Sequence, residues 1–456
     1  MVRHLSLARR PSQSLATNVV EWIKIDDLFA RLLTVICVMN LNGVVNLLTG
    51  RGQTFSILML ACCAYLLLRF FKRIWSPSAL LVSLSIFSYL ALAWVYYSPI
   101  TSTVDPLRLT NSYFNSVIVL MALIVYCSGL RGKRRLNFSR FLRDVCIISA
   151  VATMASPFLY RFYVNLPPSF EQRMGGLFAN PNEAATMGVL ALALLQVFPH
   201  KRRSIQLCLI LLIGASIIVT LSKTGMAAAV IVLTLTTFAI VKGVGKVALL
   251  SAVAAAVFVI QDLDKLIVRA VDMLGADLSA SQMDRLFAVV DILSGRIDTY
   301  TSTNRSDIWA LILSDAWDRF PAGGGLGSAH FYVGGYMDNG VWQGAHNTFL
   351  MVLAEAGPIP FALLVMTIGF TAWRVVRFGR AGFPYLVVLI VICIEMLASH
   401  NSLVLRQSNI ALAFVVGMAA SKIQERTQTS HSSSTGHLRA NRPGPMEARL
   451  IEKAEP

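Results

Sequence analysis

The chain has 456 residues, of which 55% are hydrophobic and only 14% charged, and its mean hydropathy is +0.63. A soluble domain carries roughly 25% charged residues, so the composition excludes an ordinary soluble enzyme and points to a protein made mostly of membrane helix. The net charge of +16 is concentrated in alternate loops between apolar runs, so no nucleic-acid partner is needed to account for it.

Residues 1–27 form an N-terminal segment that carries Arg9 and Arg10 but has no apolar core behind them, so no cleavable leader is predicted. Apolar runs of roughly 17–22 residues follow, each long enough for a hydrocarbon core of ~30 Å. They begin near Leu28, Thr54, Ala79, Asn111, Asp144, Ala184, Ser204, Met226 and Val247, and make a first helical group over residues 28–260. After a polar interruption over residues 261–345, further runs begin near Thr348, Phe383 and Asn409, within residues 346–421. The fold class predicted is an all-α polytopic membrane protein with about twelve spans and one large outer loop. The tail, residues 422–456, is rich in Ser, Thr and Pro and is predicted disordered and cytoplasmic.

Basic residues set the orientation. Arg69, Lys72 and Arg73, then Arg131 to Arg143, Lys201 to Arg203, Lys242 with Lys246, and Arg374 to Arg380 fall in every second connection, and the connections between them are poor in Lys and Arg. The positive-inside rule makes the first set cytoplasmic and puts both termini inside. The seven cysteines all lie in apolar runs without metal-ligand spacing and read as packing residues.

The outer loop is patterned rather than random. Leu263 to Leu274 and Met283 to Leu293 each place apolar residues on one helical face, and Trp309, Ile312, Leu313, Ala316 and Phe320 do so in a third helix stopped by Pro321. Short amphipathic helices of this kind lie on a bilayer or roof a cavity. Asp262 and Asp264 resemble a metal-binding pair, but side chains two apart on a helix point away from each other, and no metal or cofactor is predicted.

Four basic groups stand at the outer side. Arg173 opens RMGGLFANPNEAA, in which Gly175 and Gly176 would let backbone approach a ligand. Lys223 sits in the tight connection LSKTG, Arg305 begins the third loop helix, and His346 precedes the re-entering helix with Asn347 as its cap. Cations at a membrane face are costly unless they snorkel, pair or bind an anion; together these suit a lipid diphosphate. His346 has the chemistry to take a proton from an attacking hydroxyl. Each residue taken singly also reads as an anchor or a cap. Glu355 and Glu395 lie inside apolar runs, and Gly357-Pro358 must break the helix after Glu355, which makes a structural role for that acid the favoured reading beside substrate binding. His400, Asn401 and Arg406 border the same outer region. The glycine-rich segment from Gly323 to Phe331, with His330, lacks the strand, lysine and helix of a phosphate loop.

The ordered set RMGGLFANPNEAA, LSKTG, NRSDIW, PAGGGLGSAHF and HNTFLMVLAEAG, over about Arg173 to Gly357, resembles the O-antigen ligase and polysaccharide polymerase superfamily. The resemblance implies a bacterial inner-membrane protein with a periplasmic large loop. It implies a metal-independent inverting glycosyltransferase whose donor is a glycan on undecaprenyl diphosphate and whose acceptor is a core sugar or a second lipid-linked glycan. Arg173, Arg305 and His346 match the family's catalytic positions. Lys223 stands where many relatives have arginine, which keeps the charge and loses bidentate geometry. A ligase-like role in lipopolysaccharide assembly is the leading expectation and an exopolysaccharide or O-antigen polymerase the alternative. From another class, a lipid-linked sugar transporter would suit the buried acids, but the two halves of the sequence show no internal repeat. A scaffold in an export assembly is a weaker third reading.

Overall fold

The protein is described by a computed structural model over residues 13–51, 54–98, 105–164, 173–178, 180–241, 305–329, 345–398 and 401–421, with isolated positions at 243, 245–247, 251, 283, 287, 337, 338, 341 and 342; for residues 13–23, 240, 305–307, 337, 338, 341 and 342 only the backbone is described. Regular structure there is helical, apart from a two-residue antiparallel pairing of Met337–Asp338 with Val341–Trp342. The first two loop helices, Asp262, Asp264, His330, His400, the run after Val247 and the tail lie outside the described residues.

In chain order the helices are α1 (Gln13–Val38), α2 (Leu41–Thr49), α3 (Ser56–Arg69), α4 (Pro77–Val95), α5 (Pro106–Cys127), α6 (Gly132–Val151), α7 (Ser156–Leu159), α8 (Pro181–Val197), α9 (Arg203–Val219), α10 (Lys223–Ile240), α11 (Arg305–Asp318), α12 (Thr348–Ala356), α13 (Pro358–Val376) and α14 (Phe383–Ala398). A last helix, α15, covers residues 406–421. Local chemistry sets several of the starts. Ser76, Asp105, Asn180, Ser222 and Asn347 each accept a backbone N–H of the first turn that follows, and Pro77, Pro106 and Pro181 occupy the first helical position, where no N–H is needed. α1 begins at Gln13, ahead of the apolar run at Leu28, because polar residues do not end a helix.

Among the described residues four helices are long and apolar enough to cross a membrane: α4, α5, the stretch Gly132–Phe162 through α6 and α7, and α13. The limbs of α1 and α2, bent by 48°, make a fifth if they are one span. Asn40 forms that bend at φ 47, a region that Asn tolerates better than most residues. α3, α9, α10 and α14 are apolar but shorter. Only 28% of the apolar window in α13 is buried, and Ile57, Leu68, Leu211 and Ile359 point outward, the inverse of a soluble fold and consistent with a membrane protein.

α8 is the centre of the bundle, buried on every side by α6, α9, α10 and α14. Gly188 lets α9 come close, since a Cβ there would lie 2.6 Å from Ile217 Cγ1. The apolar run from Thr348 divides at Gly357, whose φ of 84 separates α12 from α13. α11 is found where the pattern predicts it but is turned on its axis: Ile308, Ile312 and Ala316 are buried, whereas Leu313, Trp317 and Phe320 are exposed.

One end of the bundle is closed by ion pairs. Asp26 and Asp27 of α1 meet Arg69 of α3 and Arg134 of α6, and the Tyr126 hydroxyl donates to Asp27 at 2.8 Å. Arg73 donates to the Val125 carbonyl at 3.3 Å, and Arg143 to that of Phe198 at 2.6 Å. Five cysteines are buried in the packing, Cys393 is partly covered and Cys208 faces outward.

Candidate functional site

At the other end three helices begin around one space. A cavity of about 230 Å³ is lined by Asn180 and Asn182 at the start of α8, by Ser222 and Gly225 at the start of α10, and by His346, two residues before α12. Glu183, Glu395 and Asn401 complete the parts of the wall that bear on its chemistry. Aligned peptide dipoles leave a helix start positive, and three such starts bear on this cavity; Asn180, Ser222 and Asn347 each cap one of their N–H groups, and the carboxyls of Glu183 and Glu395 stand in the same wall.

Two predicted cations sit behind this wall. Arg173 donates from Nε to the Thr220 carbonyl at 2.9 Å and from Nη2 to Asn182 Oδ1 at 2.6 Å. It therefore bridges the end of α9, where a cation meets the negative helix pole, and a residue that faces the cavity. Lys223 is the first residue of α10, between Ser222 and Thr224, both of which face the cavity. The turn into it needs Leu221 at φ 51, in the left-handed region.

His346 is half-buried and has φ 44, a conformation that costs a side-chain-bearing residue energy and collects at functional sites. Its neighbours hold it there. Trp309 Nε1 donates to the Ala345 carbonyl at 2.6 Å, the Ala345 N–H donates to the Ala329 carbonyl at 3.2 Å, and Asn347 caps Leu350 at 3.1 Å. Trp309 also places Arg305. The two are one helical turn apart on α11, so the backbone of Arg305 is carried on the helix that braces His346.

The other predicted positions are tied into the scaffold. Asn347 is buried and acts as the α12 cap. Glu355, 1% exposed, is not part of the cavity lining and accepts the Tyr89 hydroxyl at 2.6 Å. Because Tyr89 has one proton and gives it to Glu355, Tyr113 must donate to Tyr89 across their 2.7 Å contact, and Asn401 Nδ2 donates to Tyr113 at 2.6 Å. The carboxylate thus orients a chain of groups that ends at Asn401, in the cavity wall. Gly175 and Gly176 do not open the backbone to a ligand. Their N–H groups donate to Tyr160 Oη at 2.6 Å and Ser156 Oγ at 2.9 Å, and a Cβ on Gly176 would meet Thr153 Cα at 2.7 Å. Tyr163 donates to the Gly176 carbonyl at 2.8 Å; burial, with Tyr160 beside it, pushes this phenol up to about 12, so it remains a donor. The glycine-rich segment is a fastening: Gly324 and Gly325 donate to the last carbonyls of α12, and Leu326 to Ala93 of α4.

Glu183 was legible within RMGGLFANPNEAA but is brought to notice only by the cavity, where it accepts from Gln407 at 3.3 Å. Of the residues that the sequence places in the same outer region, Asn401 lines the cavity and Arg406 lines a second groove instead. Among the described residues no three His, Cys, Asp or Glu side chains stand together as a metal site would require. No family model matches the chain, and no curated protein matches it.

Proposed function

We propose that this protein is a membrane glycosyltransferase of the O-antigen ligase type, which moves a glycan from undecaprenyl diphosphate to a sugar hydroxyl at the periplasmic face of a bacterial inner membrane. The observation that carries the reading is the meeting of three helix starts with His346, held in a left-handed conformation, at one cavity. In this reading about twelve spans leave both termini in the cytoplasm, the end closed by Asp26 and Asp27 faces the cytosol, and residues 261–345 belong to the periplasmic side.

The chemistry needs little from the protein. The acceptor oxygen attacks the anomeric carbon from the face opposite the diphosphate; the bond from that carbon to the bridging oxygen breaks, and its electron pair leaves with the diphosphate. The acceptor proton passes to His346. Arg173, Arg305, Lys223 and the starts of α8 and α10 stabilise charge developing on the leaving group, which as a diphosphate is already a good one. Asn401, with one end fixed by Tyr113, is placed to orient a hydroxyl in the cavity.

The test uses full-length protein in vesicles with undecaprenyl diphosphate-glycan and two acceptors offered separately, core lipid and a second lipid-linked glycan. Product size separates ligation, polymerisation and flipping without transfer. His346→Ala is expected to lower transfer by about 10²–10⁴-fold while the protein accumulates normally. Wild-type rates in a variant carrying both Arg305→Ala and His346→Ala would falsify the site.

A further inference from the structure

Beside the cavity lies a second, larger groove of about 740 Å³, within the roughly 300–1,000 Å³ of small-ligand sites. Its walls are unusual for so apolar a chain. α2 and the bend before it contribute Asn40, Asn42 and Asn46; α5 contributes Asn111 and Asn115; α15 contributes Gln407. The spacing is helical. Positions 42 and 46, and positions 108, 111 and 115, each fall on one face of their helix, so two amide-bearing faces are turned to one space.

Some of these amides support the fold. Asn40 donates to the Leu177 carbonyl at 3.0 Å, and Asn42 accepts the Phe55 N–H at 2.8 Å. That account does not extend to Asn46, Asn111 and Asn115, which are exposed or half-exposed. Asn115 donates to Asn111 Oδ1 at 3.3 Å, a bond that uses one atom of each amide. The groove adjoins the cavity of His346, since Glu183, Val404 and Leu405 line both and form a common wall.

We infer that the groove is a saccharide-binding subsite, which holds the sugar chain whose reactive end enters the inner cavity. The inference rests on the glycosyltransferase reading and deepens it. The chemistry favours a sugar over a lipid phosphate. A carboxamide offers donors and an acceptor without net charge, the complement of a hydroxyl that gives one hydrogen bond and takes another. A phosphate site would instead concentrate cations and N–H groups. The two arginines of the groove, Arg108 and Arg406, stand at the start of α5 and the start of α15, where they suit an acidic substituent on a glycan.

The experiment is titration calorimetry on the full chain in nanodiscs. The probe is oligosaccharide released by partial hydrolysis of the host cell's own surface polysaccharide, with inorganic phosphate as competitor. Wild type is expected to bind it, and a variant carrying Asn46→Leu, Asn111→Leu and Asn115→Leu to bind it about tenfold more weakly or worse, since each amide lost removes a hydrogen bond. Undiminished binding by the triple variant, absence of binding by wild type, or displacement of the probe by phosphate each overturns the inference. Transfer measured in parallel separates the two claims. Normal transfer by His346→Ala with groove binding intact would remove the catalytic reading and leave a sugar site standing.

Discussion

The two ends of the helical bundle use the same residue types to opposite effect. At one end arginines meet carboxylates: Arg69 with Asp26, Arg134 with Asp27, Arg143 with Asp144. Each pair cancels charge locally, and the first two join helices. At the other end Arg173 bonds to neutral groups, the Thr220 carbonyl and the Asn182 amide, and Lys223 adds a cation to a helix pole that is already positive. These contacts set where the Arg173 guanidinium stands. An arginine that ends on a carboxylate is a fastener; one whose bonds run to amide oxygens beside a cavity has its position set there.

Substitution at the two ends should separate these roles. Arg173→Ala is expected to lower transfer about 10²-fold, the scale of losing one oriented donor to developing charge, with Arg173→Lys recovering part of it. Asp27→Asn at the closed end is expected to cost about 1 kcal/mol or less of stability, since the pair is partly exposed, and to leave transfer per folded molecule unchanged. Transfer rates normalised to folded protein by size-exclusion chromatography make the comparison. Equal losses at both ends would erase the distinction.

Next in size is the buried polar chain between the regions. Tyr89→Phe removes the donor that Glu355 accepts at 2.6 Å, and is expected to cost about 1–3 kcal/mol in thermal unfolding in detergent. Because the chain ends at Asn401, transfer is expected to fall a further few-fold among molecules that remain folded. A stability loss with no change in transfer would reduce the chain to a packing device.

Much of this arrangement could be read from the sequence, for identifiable reasons. The helix starts near Ala79, Asn111, Ala184 and Met226 fall a few residues inside the observed ones at Pro77, Pro106, Pro181 and Lys223, because an apolar run begins after the cap and first turn; Asn347 as a cap and the break at Gly357-Pro358 are local signals that the sequence shows directly. The groove was not legible. Its amides come from α2, α5 and α15, and nothing within any one segment tells that Asn46 and Asn115 face the same space. Gly175 and Gly176 misled for a related reason: glycine announces a close backbone approach but not to what, and the partner was Thr153 and Ser156 rather than a ligand. The face of α11 was misjudged because an amphipathic pattern assumes that exposed means polar. Leu313, Trp317 and Phe320 face outward, as they can beside a bilayer.

The smallest expected change in stability tests the comparison most sharply, because its two readings part in activity alone. A lysine at the first position of a helix opposes the dipole and costs about 0.3–1 kcal/mol. If Lys223 were only an anchor that reaches the membrane surface, Lys223→Gln would relieve that cost and raise the unfolding temperature slightly, with transfer unaffected. If the charge is there for a diphosphate, the same change gains the stability and loses activity, by about tenfold for one weakened ionic contact. Lys223→Arg keeps the charge and should stay close to wild type. A protein that becomes more stable and less active on losing one positive charge has been keeping that charge against its own folding, which a fastener at the closed end never does.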